Sequence, residues 1–289
     1  MKKVIYDCDN TMGMPDRDVD DGLALLYLIG REDIQLEGVT TTYGNSSLEE
    51  VFKNTENMFK ELNIKGVPLI KGANSSENRQ SEAAEFLAKE AAKNPGEITL
   101  LATGALTNLY GAYELDNNFF NNLKHIVLMG GITEPLIING VNLDELNFSC
   151  DPFATYKVLN SGCDITILTG HTCLQGFFGE EQLNRLKSKK KHFICDYIRR
   201  NIEPWYVFVE KNFGVWGFYN WDIVSAVYIT NPELFEDNYK FIISTEEDLR
   251  KGYLKISSDN VDSLKQNIPT NIKDVDKFKE IIFNAWETL

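Results

Sequence analysis

Aspartates gather around one strand-to-helix turn near the N-terminus of the sequence. A short apolar run ends in Asp7 and Asp9, and Asp20 and Asp21 open the next apolar stretch. An acidic pair at a helix N-terminus is explained by capping and by the helix dipole. Four acids that converge on one turn repel each other, however, and burial of such charge is costly without a cation. Carboxylate oxygens favour calcium or magnesium over zinc, so the turn predicts a hard-metal site.

Two positions far along the chain extend this cluster. Asp222 opens another apolar helix, and a turn at Thr103 and Gly104 follows a predicted strand. Ligands of open α/β sheets lie beyond the carboxyl ends of the strands. We therefore expect Asp222 and a main-chain carbonyl of the Thr103–Gly104 turn to complete the metal site.

The elements that must position these residues alternate along the chain. Short β-branched runs are predicted as strands at 3–8, 34–42, 67–70, 98–102, 126–129 and 164–168, and amphipathic stretches as helices at 20–30, 47–62, 82–93, 221–229 and 274–288. This alternation predicts an α/β fold with an open, mostly parallel, doubly wound sheet. Residues 239–244 and 252–257 flank a polar turn and predict a C-terminal antiparallel extension. With no linker or repeat, residues 1–289 are expected to form a single domain.

Composition excludes several classes of protein. The formal net charge is −14 with no basic stripe, which argues against nucleic acid or an anionic membrane as a partner. Apolar runs are too short to span a bilayer. The five cysteines have no CxxC spacing, which favours free thiols and a cytoplasmic location.

Six motifs occur in one order from about residue 3 to residue 228: DCDNTMG…DVDDGLAL, TTTYGN, ATGALTN, VLMGG, ELNFSCDP and WDIVSAVY. Together they resemble the nucleoside hydrolases, both the inosine–uridine-preferring group and its purine-specific relatives. The resemblance implies calcium-dependent hydrolysis of the N-glycosidic bond of ribonucleosides, in a homodimer or homotetramer.

The resemblance also implies roles for individual residues. It makes Asp9, Asp21, Asp222 and the main-chain oxygen of Thr103 the Ca²⁺ ligands, and Asp9 the base that activates a metal-bound water. Asp7 would orient Asp9. The residues implied around the nucleoside are Asp20, Asn45, Met129, Asn139, Glu145, Asn147 and Trp221.

Two features depart from the family pattern. Ten residues, 10–19, separate Asp9 from the second acidic pair where typical members have three, so this insert should lie on the rim of the pocket, where Asp16 or Asp18 could take part in it. Trp221 occupies the position of a histidine that helps to protonate the base in pyrimidine-tolerant members, and purine-specific relatives carry a tryptophan there. Further aromatic residues at 205–219 add stacking surface. We therefore predict purine preference.

Two other functions fit parts of the sequence. The run from Val4 to Thr11 resembles the opening motif of haloacid-dehalogenase-type phosphatases, with Asp7 as nucleophile and Asp9 as acid/base, although no convincing late lysine and acidic metal motif follows. A non-catalytic, metal-stabilised protein that binds a riboside is the third alternative. A phosphatase would release inorganic phosphate from phosphate esters, whereas a nucleoside hydrolase would release reducing sugar from nucleosides, so these two assays distinguish the enzymes.

Overall fold

A nine-stranded sheet forms the centre of the computed structural model, which describes residues 1–257 and 265–289. The strands in chain order are β1 (Lys2–Cys8), β2 (Ile34–Thr41), β3 (Leu69–Ile70), β4 (Ile98–Ala102), β5 (His125–Met129), β6 (Leu136–Ile138), β7 (Val141–Leu143), β8 (Ile165–Leu168), β9 (Phe177–Phe178), β10 (Phe218–Tyr219), β11 (Tyr239–Ile242), β12 (Ile256–Ser257) and β13 (Lys265–Asn267). The main sheet has the order β12-β11-β13-β8-β5-β4-β1-β2-β3. Strands β6 with β7 and β9 with β10 form two small separate ribbons.

The strands of the main sheet are mostly parallel. Strands β3, β2, β1, β4, β5, β8 and β13 pair in parallel, and β11 pairs antiparallel with both β13 and β12. The predicted open, mostly parallel sheet with a C-terminal antiparallel extension is thus confirmed. Parallel pairing brings the carboxyl ends of β1, β2, β4, β5 and β8 to one edge, where ligands bind in such sheets.

Helices cover both faces of the sheet. They are α1 (Asp20–Ile29), α2 (Leu48–Glu61), α3 (Glu82–Lys93), α4 (Thr107–Leu115), α5 (Phe119–Asn122), α6 (Pro152–Leu159), α7 (Gly170–Cys173), α8 (Glu180–Ser188), α9 (Phe193–Phe213), α10 (Trp221–Thr230), α11 (Glu246–Leu249) and α12 (Val275–Glu287). In the part of the chain that the structure describes, no helix combines the length and apolarity needed to cross a membrane.

The core consists of two apolar layers, one on each face. Val4, Tyr6 and Cys8 of β1 pack in the layer that includes α1, α9, α10 and α12, whereas Ile5 packs in the layer of α3, α4, α5 and α6. Successive side chains of a strand point to opposite faces, and both faces of β1 are buried. This burial fixes the strand that carries Asp7 and leads directly into Asp9.

Three local differences from the sequence-based expectation bear on the site. The predicted C-terminal hairpin pairs only Phe241 and Ile242 with β12, and α11 lies between the two strands. Strand β13 joins β11 to β8 and was not predicted, because its three polar residues carry no alternating pattern. The β6–β7 hairpin was also missed, although its Asn139–Gly140 turn has positive φ angles of 47° and 80°, as two-residue hairpin turns require.

Candidate active site

A cavity of about 220 Å³ opens beside the carboxyl ends of the central strands. It is lined by Asp18, Asp20, Asn45, Thr103, Met129, Gly131, Ile132, Leu136, Leu143, Asp144, Glu145, Leu146, Asn147, Gly170, Trp221 and Asp222. Eight of the residues predicted from the sequence to form the site lie in this lining: Asp20, Asn45, Thr103, Met129, Glu145, Asn147, Trp221 and Asp222. The sheet edge thus collects these eight residues from six separate stretches of sequence.

Three buried carboxylates meet at one side of the cavity. Oxygens of Asp20, Asp21 and Asp222 lie within 4.8 Å of one another. Helices α1 and α10 pack together, so their N-termini converge. The main-chain N–H of Asp222 donates to Asp20 Oδ2 at 3.0 Å, which places negative charge at the positive end of α10.

The electrostatics of this cluster favour a cation. Burial, followed by the charge of Asp20, raises the pKa of Asp21 to about 7. Burial is also the first cause that raises the pKa of Asp222 well above its usual range, and the charge of Asp20 is the next. Within residues 1–257 and 265–289, no lysine, arginine or histidine forms an ion pair with these carboxylates. Oxygen donors with uncompensated charge therefore fit a hard divalent ion.

Asp9 adjoins this cluster from the end of β1. It is fully buried, and Asn45 connects it to the cavity. The main-chain N–H of Asn45 donates to Asp9 Oδ2 at 2.5 Å, and its side-chain amide lies 3.4 Å from Asp9 Oδ1 and 3.3 Å from Asp21 Oδ2. Burial, followed by the charge of Asp21, raises the pKa of Asp9.

Gly44 makes this approach of Asn45 to Asp9 possible. A Cβ at residue 44 would collide with Asp9 Oδ2. The glycine thus lets the loop after β2 come close enough for its next N–H to reach the carboxylate. This contact explains the Gly44–Asn45 pair that ends the TTTYGN motif.

Residues of β1 and of the turn directly after β4 form hydrogen bonds that hold the acidic cluster in place. The hydroxyl of Thr103 donates to Asp21 Oδ1 at 2.8 Å, and the hydroxyl of Tyr6 donates to the carbonyl of Asp21 at 3.2 Å. The N–H of Thr103 donates to the carbonyl of Asp7 at 2.9 Å. These bonds fix the start of α1 against the ends of β1 and β4.

The Asp7 carboxylate is buried within the sheet edge and does not line the cavity. Thr40 Oγ1 and Asn108 Nδ2 donate to its Oδ1 at 2.5 and 2.8 Å, whereas Oδ2 has no partner in the described residues. Burial raises the pKa of Asp7 to about 7. Asn108 also donates to the carbonyl of Thr41, so it ties β1 to β2. Sequence reasoning missed Asn108, although it ends the ATGALTN motif.

A short loop after the β6–β7 hairpin carries Glu145 and Asn147, two of the residues predicted to lie around the ribose. Asn147 Nδ2 donates to the carbonyl of Met129 at 3.1 Å. Glu145 accepts main-chain N–H groups from Gly131 at 3.1 Å and from Phe148 at 2.9 Å, so its carboxylate also organises the loop.

Asn139 does not join this cavity in the structure. It occupies the turn of the β6–β7 hairpin, is exposed, and donates to the carbonyl of Phe213 at the end of α9 at 3.0 Å. Its side chain therefore attaches the hairpin to α9. The hairpin geometry decides this placement, and sequence reasoning had not identified the hairpin.

A second cavity of about 160 Å³ adjoins the first and is mainly aromatic. It is lined by Asp18, Ile138, Leu143, Trp205, Phe208, Val209, Phe213, Phe218, Tyr219 and Trp221. Asp18, Leu143 and Trp221 line both cavities. The rings of Trp205 and Phe208 stack with centroids 4.9 Å apart. Tyr206, which the sequence grouped with these residues, instead packs in the core.

Among the described residues that line either cavity there is no histidine. His171 follows the lining residue Gly170, and its Nε2 lies 4.0 Å from an oxygen of Glu134. His125 bonds to Thr166 at 3.0 Å on β8, away from both linings.

Known proteins resemble this chain in sequence and in fold. The sequence profile described as inosine-uridine preferring nucleoside hydrolase matches residues 4–280. Uridine nucleosidase 1 of Arabidopsis thaliana is 30% identical over 252 residues, which are 76% of this chain and 73% of the relative. Inosine-uridine preferring nucleoside hydrolase of Crithidia fasciculata is 29% identical over 196 residues, 58% of this chain and 59% of that protein.

Solved structures share the fold at lower identity. A plant nucleoside hydrolase has a TM-score of 0.85 at 19% identity and is matched over 99% of this chain and 98% of its own. A purine-preferring ribonucleoside hydrolase from Gardnerella vaginalis also has a TM-score of 0.85, at 20% identity and with the same coverage. The match of the family profile over nearly the whole chain overturns the phosphatase alternative based on Asp7 and Asp9. The chain belongs to the inosine–uridine preferring nucleoside hydrolase family, whose reaction is hydrolysis of the N-glycosidic bond of a nucleoside.

Proposed function

We propose that this enzyme hydrolyses ribonucleosides to ribose and free base with Ca²⁺ as its metal ion and with a preference for purines. One observation supports this proposal above the others: the buried acidic cluster and an aromatic cavity adjoin, and Trp221 lines both sides. A charged sugar subsite beside an apolar stacking surface matches the two halves of a nucleoside.

The metal proposal rests on the donor set. Asp9, Asp21, Asp222 and the main-chain oxygen of Thr103 are proposed to hold the ion. Asp20 lies close enough to Asp21 and Asp222 to share in this role. Carboxylates and carbonyls suit calcium, which accepts six to eight oxygen ligands in flexible geometry. When bound, calcium would fix the ribose hydroxyls and lower the pKa of a water molecule.

The side chains of the chain itself supply the remaining chemistry. Asp9 is proposed to take a proton from the attacking water, since its carboxylate adjoins the cluster and is oriented by the N–H of Asn45. Asp20, Met129, Glu145 and Asn147 are proposed to surround the ribose. Nearby carboxylates also stabilise the positive charge that develops on the sugar ring during cleavage.

The purine preference rests on the aromatic surface. Trp221 offers a flat face at the junction of the cavities, and Trp205 with Phe208 extends the apolar wall. A bicyclic base buries more area on such a wall than a single ring does. The names of the relatives include uridine nucleosidase and inosine-uridine preferring hydrolase, so the base must be tested directly.

Turnover of inosine, adenosine, uridine and cytidine, followed by release of reducing sugar, tests both parts. We expect higher kcat/KM for the purine nucleosides, loss of turnover in EDTA, and recovery on addition of Ca²⁺. Faster cleavage of uridine would contradict the purine preference. Full activity in EDTA, or recovery with Mg²⁺ but not Ca²⁺, would contradict the calcium assignment.

We further propose a cytoplasmic homodimer or homotetramer in which residues 1–289 act as one domain. The five free cysteines support a reducing compartment. Sedimentation analysis of the purified chain measures the oligomeric state, and a monomer would contradict the proposal.

A further inference from the structure

The segment between β1 and α1 is anchored at several points. Thr11 Oγ1 donates to the carbonyl of Asp18 at 2.9 Å, which closes the loop at its base. Asn54 of α2 donates to the carbonyls of Asn10 and Met12 at 3.2 and 3.1 Å. These bonds hold the two ends of the insert and fix where Asp18 lies.

Asp18 stands where the two cavities join. It lines both of them, together with Leu143 and Trp221. The N–H of Val19 donates to Asp18 Oδ1 at 2.7 Å, which orients the carboxylate. Among the described residues that line the aromatic cavity, Asp18 is the only one with a carboxylate or other charged side chain.

The chemistry of this position is that of a hydrogen-bond acceptor beside a stacking surface. An ionised carboxylate accepts but does not donate. Trp221 and the neighbouring rings supply apolar contact that does not distinguish one purine from another. A charged acceptor at the rim of such a cavity distinguishes bases that present an N–H from bases that do not.

We propose that Asp18 is a specificity-determining residue that accepts a hydrogen bond from a ring N–H or amino group of the nucleobase. This inference rests on the proposed function, because it assumes that the base occupies the aromatic cavity. It assigns a role to the ten-residue insert, which brings an acceptor to the base subsite.

Substrate pairs that differ in base N–H groups test the proposal. Purine riboside has no N–H on its base and is the reference, while adenosine carries an amino group and inosine a ring N–H. We measure kcat/KM and the equilibrium Kd for all three compounds in the wild type, Asp18→Ala and Asp18→Asn. For each protein we form two ratios, adenosine to purine riboside and inosine to purine riboside. Because all three compounds have the same ribose, these ratios cancel effects on the sugar and metal subsites.

We expect Asp18→Ala to lower at least one of the two ratios by about tenfold or more, the loss of one hydrogen bond to a charged group. Asp18→Asn keeps the shape and one acceptor oxygen, so a smaller fall is expected. Asp16→Asn is the matched control, because Asp16 is exposed in the same segment, lines neither cavity, and has a φ of 57° that asparagine tolerates. It should leave both ratios unchanged.

Ratios within about threefold of wild type in both Asp18 variants would overturn the proposal. An equal fall in Asp16→Asn would overturn it too, since the effect would then belong to the loop as a whole. If the wild type cleaves none of the three nucleosides, the proposed hydrolysis fails, and the Kd ratios still decide the role of Asp18.

Discussion

Replacing Asp21 by asparagine should make the calcium-free protein more stable and make calcium stabilise it less. Burial and the charge of Asp20 raise the pKa of Asp21 from 3.8 to about 7. The folded state therefore binds a proton that the unfolded chain has released between about pH 4 and pH 7, so stability falls as the pH rises through this window. Above pH 7, in the absence of metal, this cost is on the order of 4 kcal/mol.

Asparagine removes the charge with little change of shape. Its oxygen can still accept from the hydroxyl of Thr103 and from the N–H of Asp9, as Asp21 Oδ1 does. Its amide nitrogen cannot accept from Asn45, as Asp21 Oδ2 does at 3.3 Å, which costs about 1 kcal/mol. The net gain at pH 8 is therefore about 3 kcal/mol.

Thermal unfolding of both proteins in EDTA and in millimolar CaCl₂ measures the effect. With an unfolding entropy of about 0.6 kcal/mol/K for a chain of this length, the variant should melt about 5 °C higher than wild type in EDTA at pH 8. Calcium should raise the Tm of the wild type and shift the variant much less, because one proposed ligand has lost its charge.

The exposed cavity residue Asp144 provides the control, and Asp144→Asn should change neither Tm. A variant Tm in EDTA equal to or below that of the wild type would refute the reasoning about repulsion. An undiminished calcium shift in the variant would refute Asp21 as a ligand.

Three further substitutions or conditions probe the same site. Gly44→Ala places a Cβ against Asp9 Oδ2, and steady-state assays should show about a 100-fold loss of kcat/KM because the loop must move; activity near wild type would contradict the role of the loop. Asn108→Ala leaves Asp7 without one of its two donors, so urea unfolding should show a loss of about 2 kcal/mol, and an unchanged midpoint would contradict it. In EDTA, the wild-type Tm measured by calorimetry should fall as the pH rises from about 4 to 7, since the pKa values of Asp7 and Asp21 are both raised to about 7. A Tm that rises across this range would contradict the expected direction of the pH dependence.

The sequence determined the class of fold and the side chains from which the site is built. Alternation of buried strands with amphipathic helices is a local pattern, and burial of both faces of β1 makes a parallel sheet the favoured arrangement. Acids at the end of a strand and at the starts of helices are visible without coordinates, since parallel strands bring these ends to one edge. This pattern groups Asp7, Asp9, Asp20, Asp21 and Asp222, and the resemblance to the nucleoside hydrolases then selected Asp9, Asp21 and Asp222 among them as metal ligands.

Only the tertiary structure decided which of these side chains meet. Asp20 and Asp222 are 202 residues apart, and the packing of α1 on α10 brings them into contact. The same packing groups Asp20 with Asp21 and Asp222, whereas the hairpin turn keeps Asn139 at the end of α9. Periodicity along a chain reports which face of an element is buried but carries no information on distances between elements.

The insert at residues 10–19 shows most clearly that local sequence does not report contacts between distant elements. The sequence of residues 10–19 predicts a loop on the rim of the pocket, with Asp16 or Asp18 as the acid that takes part in it. Hydrogen bonds to Asn54 and between Thr11 and Asp18 fix its ends, and Asp18 is the one of the two acids that lines both cavities. Asp16, two residues earlier, stays exposed. The difference between these two aspartates comes from contacts with other elements, which the local sequence does not encode.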